Sequence, residues 1–219
     1  NKIMKSMEVI FARNKIVPVV VINDVEAAIP LAETLLAAGI NNMEVTLRTA
    51  NALEVIRKVA KHVPEMVIGA GTILTVEHFK QAQAAGAEYI ISPGVTQELF
   101  EIGKANAEQV RFIPGICSPS QAMDAANYGL GYVKFFPAEP YNAYNIIKAL
   151  ASPLPHIKFC PTGGVTIENM QKYLLLENIF AVGLSSIVEG KLIAAHDFTE
   201  IRRRCEEAVA LVNQTLQLN

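Results

Sequence analysis

Tyr132-Val133-Lys134-Phe135-Phe136-Pro137 is a short apolar run with one lysine inside it, closed by a proline. Its β-branched and aromatic residues read as a buried strand, and runs like it return along the whole chain. Strand candidates fall at 16–22, 42–48, 66–72, 89–93, 111–116, 132–137, 158–162 and 179–185. Between them, segments containing Ala, Leu, Glu and Lys predict helices at 25–38, 50–62, 76–85, 97–105, 119–128, 143–150 and 167–174, with a last helix over 198–216. Asp24, Thr49, Thr75, Thr96, Ser118 and Thr166 stand where helix N-caps belong, and Gly39, Gly86 and Gly129 where helices stop. Eight such units without a linker or a composition break predict one closed (β/α)8 TIM barrel, a single domain over 1–219. An open doubly wound sheet is the alternative, but no glycine-rich dinucleotide fingerprint supports it.

The bulk properties narrow the function. Of 219 residues, 51% are hydrophobic and 18% charged, which describes a globular chain with a large core. The net charge of −2 argues against nucleic acid, and Arg202, Arg203 and Arg204 are followed by Glu206 and Glu207, as on a solvated helix face. No apolar run reaches the length of a membrane span. Over 1–14, Met4, Met7, Ile10 and Phe11 lie at helical spacing, so an extra N-terminal helix covering one end of the barrel is expected, not a secretory signal. Cys117, Cys160 and Cys205 are odd in number and far apart, which fits a reducing cytoplasm without disulfides. The four histidines show no metal-ligand spacing, and no metal is expected.

If the barrel is right, chemistry belongs at the C-terminal ends of the strands. Lys134 is the first candidate there. An ammonium inside an apolar strand must be paired or lose its proton, and a neutral amine is what a Schiff-base nucleophile needs. The plain alternative is a lysine whose stem packs while its head reaches water. Strand parity places Glu44, Thr46 and Arg48 on one face and Met43, Val45 and Leu47 on the other. With the apolar set turned to the helices, Glu44 and Arg48 point to the interior shared by Tyr132, Lys134 and Phe136. They are either a buried structural ion pair or an acid/base carboxylate beneath a guanidinium fork for a substrate carboxylate. Ile68, Ala70 and Thr72 share a face in the third strand, with the Thr72 hydroxyl at the mouth. Ser92-Pro93-Gly94 and Pro114-Gly115-Ile116 end two more strands. Lys158, the competing amine, begins its strand at the wrong end for chemistry. Thr162-Gly163-Gly164 and Gly183-Leu184-Ser185-Ser186 follow the last two strands, where such barrels cradle phosphate on backbone N–H groups.

Met43-Glu44-Val45-Thr46-Leu47-Arg48-Thr49, Gly69-Ala70-Gly71-Thr72, Ile91-Ser92-Pro93-Gly94, Lys134-Phe135-Phe136-Pro137-Ala138-Glu139 and Cys160-Pro161-Thr162-Gly163-Gly164 are together similar to the bacterial class I aldolase family for 2-keto-3-deoxy-6-phosphogluconate and 4-hydroxy-2-oxoglutarate. The resemblance is in order and spans nearly the whole chain. It implies a homotrimer that cleaves a phosphorylated 2-keto acid to pyruvate and glyceraldehyde 3-phosphate, without a cofactor. It also implies Lys134 as the Schiff-base lysine, Glu44 as acid/base, and Arg48 and Thr72 as holders of the pyruvate carboxylate. Pro93 and Phe136 match walls of the pyruvyl pocket, and Thr162, Gly163, Gly164 and Ser185 match the distal phosphate site. Two departures fall near that distal end: Leu184 where the family usually has glycine, and Pro140-Tyr141-Asn142-Ala143-Tyr144 where it often has a glycine-rich stretch. Three rival expectations keep the barrel: a related 2-keto acid aldolase with a different aldehyde half, an isomerase or decarboxylase that works without a Schiff base, and a retired barrel that only binds a phosphorylated acid.

Overall fold

A computed structural model describes residues 4–12 and 14–217; the first three residues and residue 13 of the predicted N-terminal helix, and the last two of the chain, lie outside it. Strands β1 (Ile16–Val20), β2 (Asn42–Thr46), β3 (Val67–Gly71), β4 (Tyr89–Ile91), β5 (Arg111–Ile113), β6 (Gly115–Ile116), β7 (Tyr132–Phe135), β8 (Lys158–Pro161) and β9 (Val182–Leu184) pair in parallel throughout. They form a six-stranded sheet in the order β5-β4-β3-β2-β1-β9 and a three-stranded sheet β6-β7-β8. The predicted strand 111–116 divides into β5 and β6 because Pro114 has no N–H for the ladder. Hydrogen bonds nonetheless cross both seams. At one, Lys134 N donates to Pro114 O (2.9 Å) and Gly115 N of β6 to the Ser92 hydroxyl at the end of β4 (3.2 Å). At the other, Phe159 N donates to Asn178 O (2.8 Å) and Phe180 N to Phe159 O (3.0 Å).

Helices α1 (Met7–Phe11), α2 (Ala28–Ala37), α3 (Ala52–His62), α4 (Val76–Ala85), α5 (Gln97–Ala105), α6 (Pro119–Asn127), α7 (Ala143–Leu150), α8 (Met170–Leu174), α9 (Gly190–Ala194) and α10 (Phe198–Gln217) connect and cover the strands. Ser118, Thr75 and Thr96 cap their helices by accepting from the backbone N–H three residues on. Asp24 caps a short 3-10 turn that precedes α2. Thr49 and Thr166 do not cap. The Thr49 hydroxyl donates to Ile22 O (2.6 Å), two residues beyond the neighbouring β1. Thr166 opens a turn closed by Asn169, so α8 starts at Met170 rather than 167. α9 has no counterpart among the predicted helices; at five residues it is too short for its period to register.

Two apolar layers follow from strand alternation. Met43, Val45, Val133, Phe135 and Phe159 pack outward against the helices. Val17, Val67, Tyr89, Ile91, Ile113 and Cys160 turn inward. Met7, Ile10 and Phe11 of α1 join the inner layer, with Phe11 edge-on to Tyr89 (5.6 Å) and Phe180 (5.2 Å). The N-terminal helix thus plugs the end at which the strands begin; each of its buried side chains contributes about 1.5–3 kcal/mol.

The third strand corrects its expected parity. Ile68 and Ala70 belong to the outer layer, while Val67, Gly69 and Gly71 face inward, in register with Asn42, Glu44 and Thr46. Thr72 escapes its expected face because it follows the strand in a left-handed conformation (φ +55°).

Candidate active site

Glu44 and Lys134 lie inside the sheet, 2% and 3% exposed. Each arrives there by alternation: Glu44 between outward Met43 and Val45, Lys134 between outward Val133 and Phe135. Room for Glu44 comes from Gly71, where a Cβ would fall 1.8 Å from Glu44 Oε2. Gly69 does the same for the Tyr89 ring, at 2.2 Å. These glycines therefore admit interior side chains rather than close strand–helix packing. Glu44 Oε2 is buried and finds no hydrogen-bond partner among the described residues. Burial holds the Glu44 carboxyl above the ordinary carboxylate range, against the lowering pull of the Lys134 and Arg48 charges.

The Lys134 Nζ stands 4.7 Å from the centre of the Phe136 ring. Cys160 is its register partner on β8; burial pushes that thiol up to about 12, so it is a neutral neighbour. Its sulfur is 3.8 Å from the Thr162 hydroxyl. On the other flank, Gly115 of β6 pairs with Lys134 and leaves space for the backbone of Ser92 and Pro93. Phe136 touches the lysine, and Pro93 and Thr162 lie against its two strand neighbours, Gly115 and Cys160.

β2 ends at Thr46, short of the predicted Arg48, which stands exposed in the following turn. Its guanidinium Nε donates to the Thr72 hydroxyl (2.9 Å), a contact made possible by the left-handed Thr72 backbone. Gly163 and Gly164, both with positive φ (+105° and +75°), lie against Pro137, Ala138 and Glu139 of the loop that follows Lys134. Ser185 follows β9, whose Gly183 leaves room for the Thr162 side chain, a Cβ there falling 2.3 Å from its hydroxyl. Ser185 lines a cavity of about 360 Å³ with Val19, Val21, Ser186 and Glu189, between the ends of β1 and β9. Lys158, by contrast, lines a cavity beside Met7 and Phe11 at the opposite end of the strands. Among the described residues no cluster of His, Cys, Asp and Glu could hold a metal ion.

The arrangement offers a buried amine, a carboxyl able to carry a proton, and a guanidinium–hydroxyl pair at the mouth. The model of the KDPG and KHG aldolase family matches residues 7–204. The chain belongs to that family. A 2-dehydro-3-deoxy-phosphogluconate aldolase of Pseudoalteromonas atlantica is 42% identical over 94% of this chain and 94% of its own. A KHG/KDPG aldolase of Escherichia coli K12 is 39% identical over 93% and 95%. The crystal structure of KDPG aldolase from Legionella pneumophila, with pyruvate captured at low pH as a covalent carbinolamine intermediate, superposes with a TM-score of 0.89 at 38% identity, covering 94% of this chain and 98% of that one.

Both departures from the aldolase pattern have a place in the fold. Leu184 sends its side chain into the outer layer, so its Cβ leaves the interior untouched. Glu139–Tyr141 form a 3-10 turn, and Tyr144 packs edge-on against Tyr173 of α8. Sequence reasoning missed Gly71, Tyr89 and Asn42 as parts of the interior. Tyr89 donates to Asn42 (2.9 Å) and Asn42 to Ile16 O (2.9 Å), a buried polar brace under Glu44. Alternation could have found Asn42 two residues before Glu44; the partner on another strand required the register.

Proposed function

We propose that this aldolase cleaves 2-keto-3-deoxy-6-phosphogluconate to pyruvate and glyceraldehyde 3-phosphate, and 4-hydroxy-2-oxoglutarate to pyruvate and glyoxylate, through a Schiff base on Lys134. The observation that carries the residue roles is the buried Glu44 carboxyl, its Oε2 without a hydrogen-bond partner among the described residues, under the charge of a buried strand lysine. The Lys134 amine attacks the ketone carbon C2 and forms a carbinolamine. Glu44 donates a proton to its hydroxyl, water leaves, and an iminium remains. The Glu44 carboxylate, acting through a water, then takes the proton of the C4 hydroxyl. The electrons of the C3–C4 bond pass into the iminium, and the aldehyde departs. The resulting enamine is protonated at C3, and water hydrolyses the iminium to release pyruvate and restore Lys134. Arg48 and Thr72 hold the carboxylate so that C2 meets the amine at attack distance, with Pro93 and Phe136 as walls. Thr162, Gly163, Gly164 and Ser185 receive the distal phosphate on backbone N–H groups and hydroxyls. These steps draw on no metal or organic cofactor.

The same reading treats the two sheets as one closed (β/α)8 barrel and a single domain, supported by the hydrogen bonds across both seams. It includes a homotrimer, on family resemblance, and a cytoplasmic site, supported by three unpaired cysteines. Borohydride reduction in the presence of pyruvate should trap an adduct on Lys134, located by peptide mass spectrometry. An adduct on Lys158, or none, would overturn the assignment.

A further inference from the structure

Glu139 is an acid beside the proposed phosphate turn for which the mechanism has no use, and its surroundings are built. Its backbone N–H donates to Gly163 O (3.0 Å), and the preceding Ala138 N–H donates to Thr162 O (2.8 Å). A Cβ on Gly164 would fall 2.9 Å from Glu139 Cβ, so the two loops are in contact along their length. The carboxylate turns away from the site. It accepts from the buried Tyr173 hydroxyl (2.6 Å) and pairs with Lys172 (3.1 Å), both on α8. The Tyr173 hydrogen bond, with Lys172 behind it, holds the Glu139 carboxyl below its ordinary range. The turn after Glu139 closes on itself: Tyr141 N and Ala143 N both donate to Ala138 O (3.2 and 3.0 Å). Tyr144 completes the brace against the Tyr173 ring. The segment that departs from the family pattern is therefore anchored at both ends.

We propose that Glu139 is a positioning residue for the distal, phosphate-bearing half of the substrate, clamping the loop after Lys134 and the Thr162–Gly164 turn together through Tyr173 and Lys172. The inference rests on the phosphate-site reading given above. The clamp acts on the turn and not on Lys134, Glu44 or Arg48. Its loss shows in KM for a phosphorylated substrate and leaves the pyruvyl half alone. The clamp also answers an electrostatic problem. A free carboxylate beside a phosphate repels it, and Lys172 and Tyr173 hold this one occupied and facing α8.

Y173F removes the short hydrogen bond while keeping the ring, and E139Q keeps an acceptor for Tyr173 but discards the pairing with Lys172. Cleavage is measured for wild type and both variants on 2-keto-3-deoxy-6-phosphogluconate and on 4-hydroxy-2-oxoglutarate, with borohydride trapping of pyruvate as a separate readout. The expected result is a KM for the phosphorylated acid raised about three- to tenfold in Y173F, within the range of one ordinary net hydrogen bond. E139Q should show a smaller rise. KM for 4-hydroxy-2-oxoglutarate and the rate of pyruvate trapping should stay at wild-type values. Parallel losses on both substrates would mean a merely structural role and overturn the proposal, as would unchanged KM on both. Failure of the Lys134 reading is distinguishable, because it appears as absent trapping in the wild type. Failure of the phosphate-site reading appears as wild type treating both acids alike, and it takes this proposal with it.

Discussion

Substituting Glu44 by Gln should make the protein more stable while nearly abolishing its activity. The carboxylate is 2% exposed and one of its oxygens has no partner. A buried polar atom left unsatisfied costs about 1–3 kcal/mol, and more when charged. Opposing this, the Lys134 and Arg48 charges attract the carboxylate; burial is the larger influence and leaves the group raised above its ordinary value. The sign of the pH dependence follows. Between the unfolded value near 4.5 and the higher folded value, the folded state holds a proton that the unfolded state has released. Wild-type stability therefore falls as pH rises through that window. A glutamine does not titrate, so the advantage of E44Q is small at pH 4 and full above the folded value. At pH 8 a gain of about 2 kcal/mol is expected, or about 4–8 °C in melting temperature for a chain of this size. Loss of the acid/base group should lower kcat by about 10²- to 10⁴-fold. Urea titrations at pH 4, 6 and 8 read the stability. An E44Q protein less stable than wild type at pH 8 would refute the reasoning, because attraction to Lys134 would then outweigh burial.

Three further outcomes follow from the geometry. G71A should drive the Glu44 carboxyl from its place, since the added methyl would fall 1.8 Å from Oε2; a drop in kcat of about 10²-fold with the circular dichroism spectrum retained is expected, and wild-type kcat would contradict it. R48K keeps the charge but loses the Nε–H bond to Thr72 and the planar fork, so KM for the keto acid should rise about tenfold, measured by steady-state cleavage. F11A empties the inner plug between Tyr89 and Phe180 and should cost about 3–5 kcal/mol in calorimetry, while kcat at 25 °C changes little because the plug lies at the far end of the strands.

The parts of this molecule that were legible in its sequence are those governed by alternation over several consecutive residues. Val-Lys-Phe in β7 and Met-Glu-Val in β2 each carry a polar residue between two apolar ones. The apolar neighbours can be buried only against helices, so Lys134 and Glu44 had to meet inside. Alternation fails where the strand stops, and active-site residues of such a fold sit at strand ends. Arg48 lies beyond β2 and reaches Thr72 only because Thr72 adopts φ +55°; period-two counting on β3 placed Thr72 with Ile68 and Ala70, which pack on the opposite side. The same limit explains Thr49 and Thr166. Each has cap chemistry at the right spacing, but the Ile22 carbonyl, 27 residues away, takes the Thr49 hydroxyl, and Asn169 Oδ1 takes the Thr166 backbone N–H to form a turn in place of a helix start; the first competitor is invisible along the local sequence. Glycine carries the opposite lesson. At Gly71 the absent side chain is itself the functional feature, an empty volume that another strand fills with a carboxyl group. Such a volume becomes readable only when the register assigns Thr46 opposite Gly71 and thereby points Glu44 across it. An inward glycine beside an inward acid on a neighbouring strand is therefore a site signal that sequence alone half supplies: it gives both residues, and the register supplies the contact.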